Sequence, residues 1–381
     1  MSYRKVLFLI TLALVLSLAL VACGAPAAEE PAAEEPAAEE PAAEEPAAEE
    51  PMEAEAVMAS CDADGMFDAS MYAQEPPYTI CFSNASVGNA WRVAMVQNFD
   101  YGIQEATDAG LIENYYYTDA NDDANKQIAD IEDLLTKGCD VLIVSATTAD
   151  VVDPAAAQAM ESGVPVITLD RDVANPENRV SYTDGDSCLM GREQMSWLVE
   201  ELGGEGDIVL LSGVAGASPA EERLRCAREV LEEYPGINEL AHAYTDWSPT
   251  GGQAQMEAWI TTFGEEIDGV WSDSALQGVG AVEAFLGAEM QVPPISGEDW
   301  ALFFRLAYEN DFPFVGVSFP NRMSYFTVQD ALALLQGESI ECHHQVAPLV
   351  ISEENIGDYW TPETSDELWL DMLPEVLATY E

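Results

Sequence analysis

The sequence predicts an α/β fold of two doubly wound parallel-sheet domains with a hinged interdomain cleft, and three observations predict it. Short apolar runs of strand length recur across 78–318, helical stretches separate them, and the alternation begins afresh near 187. Roughly 320 residues remain once the low-complexity start is set aside, too many for one typical core and suited to two. Two such halves in tandem imply a crevice between them.

The elements follow in order. YTICFS at 78–83 is a strand bounded by Pro77. The Ser-, Asn- and Gly-rich loop SNASVGNAWR comes next, and then an amphipathic helix over about 93–110. NYYYTD (114–119) reads as a second strand and 125–138 as a helix that stops at Gly138. DVLIVS (140–145) is a third strand, 150–163 a helix, and PVITLD a fourth strand, so four strands are complete by Asp170. The second half repeats the scheme. Helices are expected at 187–202, 218–234, 251–263 and 274–286, and strands at 206–212, 240–244, 268–272 and 292–296. A last strand (314–318) and helix (324–335) need not belong to the second half, because chains of this architecture often cross back.

The first 60 residues are not part of the fold. Arg4 and Lys5, an apolar run and small residues before Cys23 make 1–23 a secretion signal. Its ending LVAC resembles a bacterial lipoprotein box, which makes Cys23 the expected lipidation site. The run is shorter than the roughly 20 residues that span a bilayer. From Pro26 the unit PAAEE repeats to Glu50; proline every fifth residue and paired glutamates make 24–60 an extended acidic tether. The expected boundaries are 78–182 for the first domain, 183–312 for the second, and 313–381 for a crossover segment and tail.

With 13 Lys and Arg against 70 Asp and Glu, the formal charge is −57, and it is only partly tether. Such a surface repels phosphate backbones, so nucleic acid is excluded as a partner. Scarce cations are informative where they occur: Arg92, Arg171 and Arg223 all fall beside strand ends or turns. Seven cysteines are present. With Cys23 set aside, an oxidising compartment leaves the pairing of the remaining six open. Cys188 and Cys226, both on helices at the start of the second domain, are expected to pair. Cys81 and Cys139 lie in or beside buried strands, where a free thiol passes as a small hydrophobe. Cys342, His343 and His344 give only a weak metal hint; no metal site and no cofactor are expected.

The stretch PVITLDRD (165–172) joins fold to chemistry. Val166, Ile167, Thr168 and Leu169 suit a buried parallel strand, and charges follow at its carboxyl end. Ligands of open α/β sheets sit there, and an Asp with an Arg can accept from and donate to one polar solute.

The ordered motifs GNAWR, KGCDVLIVS, SGVPVITLDRD, GVAGASPAEER, YTDW, VWSDS and ISGED, spread over about 78–340, resemble those of the periplasmic ribose- and galactofuranose-type sugar-binding proteins of ABC importers. The resemblance implies a type 1 periplasmic binding fold and a monomeric receptor that closes on a monosaccharide and delivers it to a membrane permease. It implies ligand contacts from Asn89, Trp91, Arg92, Ser145, Asp170, Arg171, Arg223, Trp247, Asp273, Ser274 and Asp299. Aromatic faces would stack on the C–H side of a sugar while Arg and Asp satisfy its hydroxyls. No GxSxG, HExxH, GxxxxGK or calcium-loop motif occurs, so an enzyme in the same cleft is the weaker alternative. A sensor presenting sugar to a signalling partner is the other.

Overall fold

The computed structural model describes residues 61–380. The signal, Cys23 and the PAAEE repeat lie outside the described residues, as does Glu381. After the two-residue strand β1 (Met66–Phe67) come β2 (Tyr78–Asn84), α1 (Ala90–Asp108), β3 (Ile112–Asp119), α2 (Ala124–Leu135), β4 (Val141–Ser145), α3 (Ala149–Glu161), β5 (Val166–Leu169) and β6 (Ser181–Asp184). The second series runs α4 (Ser187–Glu201), β7 (Glu205–Ser212), α5 (Ser218–Leu231), β8 (Gly236–Tyr244), α6 (Pro249–Phe263), β9 (Gly269–Ser272), α7 (Ala275–Gly287), β10 (Ile295–Gly297), α8 (Ala301–Asn310) and β11 (Phe314–Val317). Last come α9 (Met323–Leu335), β12 (Ile340–Glu341), β13 (His343–Gln345), β14 (Val350–Ser352) and α10 (Pro374–Leu377).

Two six-stranded sheets result, in the orders β13-β6-β5-β4-β2-β3 and β14-β11-β10-β9-β7-β8. All neighbours are parallel except β14, which runs antiparallel to β11. In each sheet the chain starts on an inner strand, adds one neighbour, then reverses direction. The reversal opens a crevice beyond the carboxyl ends of β2 and β4 in one lobe and of β7 and β9 in the other.

Alternation along the strands divides each lobe into two cores. Ile80 and Phe82 of β2 pack toward α1 and α9, whereas Cys81 packs with Leu142 and Val144 toward α2 and α3. Likewise Val209 and Leu211 of β7 face α6 and α7, and Ile208 and Leu210 face α4 and α5. Both faces of each central strand are therefore covered, which is why these strands read as unbroken apolar runs.

The segment from 313 is shared between the lobes. β11 extends the second sheet, α9 returns to pack on α1, β13 joins the first sheet, and β14 goes back to the second. The tail then stacks Trp369 on Trp300, at 5.8 Å between ring centroids, and reaches α1, where Leu373 N–H donates to Asn98 Oδ1 at 3.1 Å. β6 adds a fifth body strand to the first lobe, where four were expected. Its sequence SYTD offers no apolar run, because three of its four buried side chains are polar or charged. α8, with its Phe303 and Phe304 in the second core, was not anticipated either.

Cys188 and Cys226 join α4 to α5, with Cα atoms 5.3 Å apart. Cys81 and Cys139 are bonded to each other (Cα–Cα 5.7 Å), which corrects their reading as free apolar thiols: adjacent parallel strands bring both into one core. Cys61 pairs with Cys342, and the hinted metal group dissolves, because His343 faces Asp184 (2.9 Å) while His344 faces Asp330 (2.7 Å).

Candidate functional site

The first lobe supplies the tip of β5 and the start of α1. Asn89 caps α1, its Oδ1 accepting from Arg92 N–H at 2.9 Å, and this fixes the direction in which the next turn emerges. Arg92 is fully buried and fully engaged. It pairs with Asp170, donates to Asn84 Oδ1 (2.5 Å) and Ser145 Oγ (3.0 Å) from Nη2, and to the Ser86 carbonyl (3.0 Å) from Nε. Asp170 adopts a left-handed φ of 64°, unusual for a residue other than glycine. The conformation is held by its N–H on the Thr183 carbonyl (2.9 Å) and by the Tyr182 hydroxyl on its own carbonyl (2.9 Å). Such locally costly backbone collects at binding sites, and here it turns the next side chain, Arg171, into the crevice.

Arg171 is only loosely paired. Nη1 lies 3.6 Å from Asp122 and Nε 3.9 Å from Asp170, and Nε has no hydrogen-bond partner although it is buried. Burial, reinforced by the nearby Arg92, pushes this guanidinium down to about 10.

The second lobe answers with Trp247, Arg223, Ser274 and Glu298. Trp247 also has a left-handed φ (47°), and its Nε1 donates to Asp273 Oδ1 at 3.0 Å. Asp273 takes three further bonds, from Gly213 N–H (3.0 Å) and Gln277 Nε2 (2.6 Å) on its carboxylate and from Arg223 Nη1 (2.9 Å) on its carbonyl. It thus supports the cavity wall from behind. Burial pushes Asp273 up to about 6, against the opposing pull of Arg223. Arg223 lies 4.2 Å from the Phe319 ring centroid and 3.5 Å from Glu298 Oε1, and its Nε is a second buried donor without a partner. Glu298 accepts from Ser274 Oγ, and burial pushes its carboxyl up to about 7.

These side chains line a small pocket between the lobes, formed by Asn89, Trp91, Arg92, Asp170, Arg171, Arg223, Trp247 and Ser274, joined by Leu276, Glu298 and Phe319. Eight of the eleven expected residues are therefore brought together. Ser145 and Asp273 stand behind the wall, bonded to Arg92 and Trp247. Asp299 does not reach the cavity: its Oδ2 accepts from Asp371 N–H at 2.7 Å on the opposite side, and Glu298, one residue earlier, takes the position expected of it. Ser318 bonds to Asp371 (2.7 Å) and likewise faces away. Phe319, just past the end of β11, and Leu276, in the first turn of α7, had no sequence signal, because an apolar residue in either place looks like core.

The crevice at two matched sheet reversals, with buried donors waiting in it, is the architecture of a solute receptor, and the family profile described as periplasmic binding protein domain matches residues 80–339. The chain belongs to that family. Similar proteins include a xylitol-binding protein of Mycolicibacterium smegmatis, 28% identical over 242 residues (63% of this chain, 69% of the relative). A ribose import binding protein of Haemophilus influenzae is 27% identical over 235 residues (62% and 80%). The crystal structure of a galactofuranose binding protein shares the fold with a TM-score of 0.69 at 20% identity, covering 74% of this chain and 97% of that one.

As a periplasmic binding protein the chain falls among extracytoplasmic binders rather than enzymes. No helix among the described residues is long and apolar enough to cross a membrane. Its lobes are drawn together: Asp172 N–H donates to Ser218 Oγ (2.7 Å), Ala149 N–H to the Gly216 carbonyl (3.4 Å), and Arg171 lies over the Trp247 ring. Trp91 is anchored by Nε1 on the Phe319 carbonyl at 2.8 Å, so its ring is held where the chain passes between the lobes.

Proposed function

We propose that this periplasmic binding protein captures a sugar in the enclosed cavity and hands it to an ABC permease. The observation that carries the reading is the pairing of apolar and polar groups around one small space. Trp91 and Trp247 come from opposite lobes, and Arg171 and Arg223 each keep a buried Nε without a partner. Indoles suit the C–H face of a ring, and unpartnered guanidinium donors beside Asp170 and Glu298 suit its hydroxyls. The xylitol- and ribose-binding names of the relatives agree with a polyhydroxylated solute. Asn89, Ser145, Asp273 and Asp299 then act mainly by orienting neighbouring groups.

The test is a thermal-shift screen of the mature body against pentoses, hexoses and polyols. A solute that binds only the folded state raises its melting temperature by mass action. A screen in which no sugar or polyol shifts the transition, while amino acids or nucleosides do, overturns the reading. Lipidation of Cys23 is part of the same proposal, with the acidic repeat holding the receptor off the membrane. Fatty-acid labelling should mark the wild type and not Cys23→Ala.

A further inference from the structure

Among the described residues the chain crosses between the lobes after β6, after β11 and between β13 and β14. The tail then crosses once more, beyond the residues 80–339 that the family profile matches. We propose that this last crossing, 370–373, is a strap that holds the lobes in the closed arrangement and limits how far they part. The proposal stands whatever solute the pocket takes.

The strap is anchored on a different lobe at each end. On the second lobe the Leu368 carbonyl accepts from Ala301 N–H (2.9 Å), Leu370 N–H donates to the Asp299 carbonyl (3.1 Å), and Asp371 N–H donates to Asp299 Oδ2 (2.7 Å). On the first, Leu373 N–H donates to Asn98 Oδ1 (3.1 Å), the Tyr380 hydroxyl donates to Gln97 Oε1, and Met372 and Val376 are buried in the core that includes α1.

There is no slack between the anchorages. The amide of Asp371, held by one lobe, and that of Leu373, held by the other, are two residues apart, a span that reaches at most about 7 Å. Parting Asp299 from Asn98 must break one end. The middle is clamped as well: the buried Asp371 carboxylate accepts from Ser318 Oγ (2.7 Å) and Arg322 Nε (2.6 Å), and Arg322 Nη2 donates to the Ala347 carbonyl (3.2 Å). One side chain thus ties the strap to two of the other crossings.

Both anchorages adjoin the pocket. Glu298 immediately precedes Asp299, and Trp91 lies roughly two helical turns before Asn98 on the same face of α1. Asn98 is wholly buried, and its Nδ2 donates to the Ala94 carbonyl (2.8 Å) and to Asn321 Oδ1 (3.1 Å), so tail, crossing segment and pocket helix meet on one side chain.

The experiment is amide hydrogen exchange on the empty mature body, because two amides bridge the lobes directly: Asp172 N–H on Ser218 Oγ and Ala149 N–H on the Gly216 carbonyl. One variant inserts Gly-Ser-Gly after Asp371, which adds up to roughly 10 Å of slack between the anchorages. The other, Leu373→Pro, suits the φ of −59° at that position and removes the amide that Asn98 holds. The same insertion after Glu363, upstream of both anchorages, is the control. The proposal expects the amides at 149 and 172 to exchange about fivefold or more faster in the insertion variant and to move the same way in Leu373→Pro, with the β4 amides unchanged and the control like wild type. Wild-type exchange at 149 and 172 in both variants overturns the strap. A rise shared equally by β4, or shown equally by the control, overturns it too, because the tail then adds only general stability.

Discussion

The Arg171 guanidinium lies 5.1 Å from the centroid of the Trp247 ring, a cation of one lobe resting on an aromatic face of the other. The contact exists only when the lobes are together, so it stabilises the closed form in proportion to how far water is kept from it. Arg171 is not the principal partner of Asp170, which keeps Arg92 and Ser145.

Arg171→Ala should therefore weaken ligand binding by about 2–3 kcal/mol while the denaturation midpoint of the empty protein barely moves. Trp247→Ala should act in the same direction through lost stacking area. Calorimetry and urea melts on each variant check this. Affinity equal to wild type for Arg171→Ala would show that the guanidinium does not contact the ligand.

Glu298 gives a pH dependence with a definite sign. Its carboxyl sits near 7 in the folded chain, raised chiefly by burial from an ordinary 4.5. The folded state thus binds more protons than the unfolded between those values. The stability this contributes is complete below about pH 4.5 and is lost as pH rises through 7. Melts at pH 5.0 and 7.5 should show the protein firmer at the lower value, and Glu298→Gln should remove on the order of 2 kcal/mol of that difference. The rest belongs to Asp273 and Asp299, whose carboxyls burial also raises, and to the general repulsion of an acidic chain. A slope unchanged by Glu298→Gln would place the titration elsewhere.

Gly213 is fixed by its neighbour. A Cβ added there would overlap the Trp247 indole. Gly213→Ala should cost about 1–3 kcal/mol of stability and displace the ring, with loss of ligand affinity. In a Trp247→Ala background the same substitution should cost much less stability. Additive effects in that double-variant cycle would mean that the two positions do not meet.

The Cys81–Cys139 bridge ties β2 to the entry of β4 within one core. Replacing both residues by alanine should lower stability by about 2–4 kcal/mol and leave sugar affinity alone, since neither residue lines the cavity. Peptide mapping under non-reducing conditions, together with urea melts, measures both halves of the expectation.

Much of the fold was legible because each central strand is buried on both faces, and its run of Val, Ile and Leu stands out from the helices. β6 was not, since a strand carrying Ser181, Thr183 and Asp184 inward looks like a loop. The site was legible where a charge followed an apolar run, as at Asp170 and Arg171, or where an indole sat in a polar loop, as at Trp91 and Trp247. It was illegible where the choice lay between neighbours. Glu298 and Asp299 are both acidic and both buried, and only the path of the strand end decides which one faces the cavity. The Cys81–Cys139 pairing required knowing which strands lie side by side.

The repeated exchange of chain between the lobes also sets an order of events in biogenesis. The first lobe cannot finish its sheet or cover α1 until α9 and β13 have been made, and Cys61 cannot find Cys342 before then. A chain emerging from its N-terminus therefore carries an incomplete first lobe through the whole synthesis of the second, and neither lobe can be excised as one uninterrupted fragment. Truncation before α9 (Met323–Leu335) should leave exposed the apolar face of α1, a surface for chaperones and proteases to recognise.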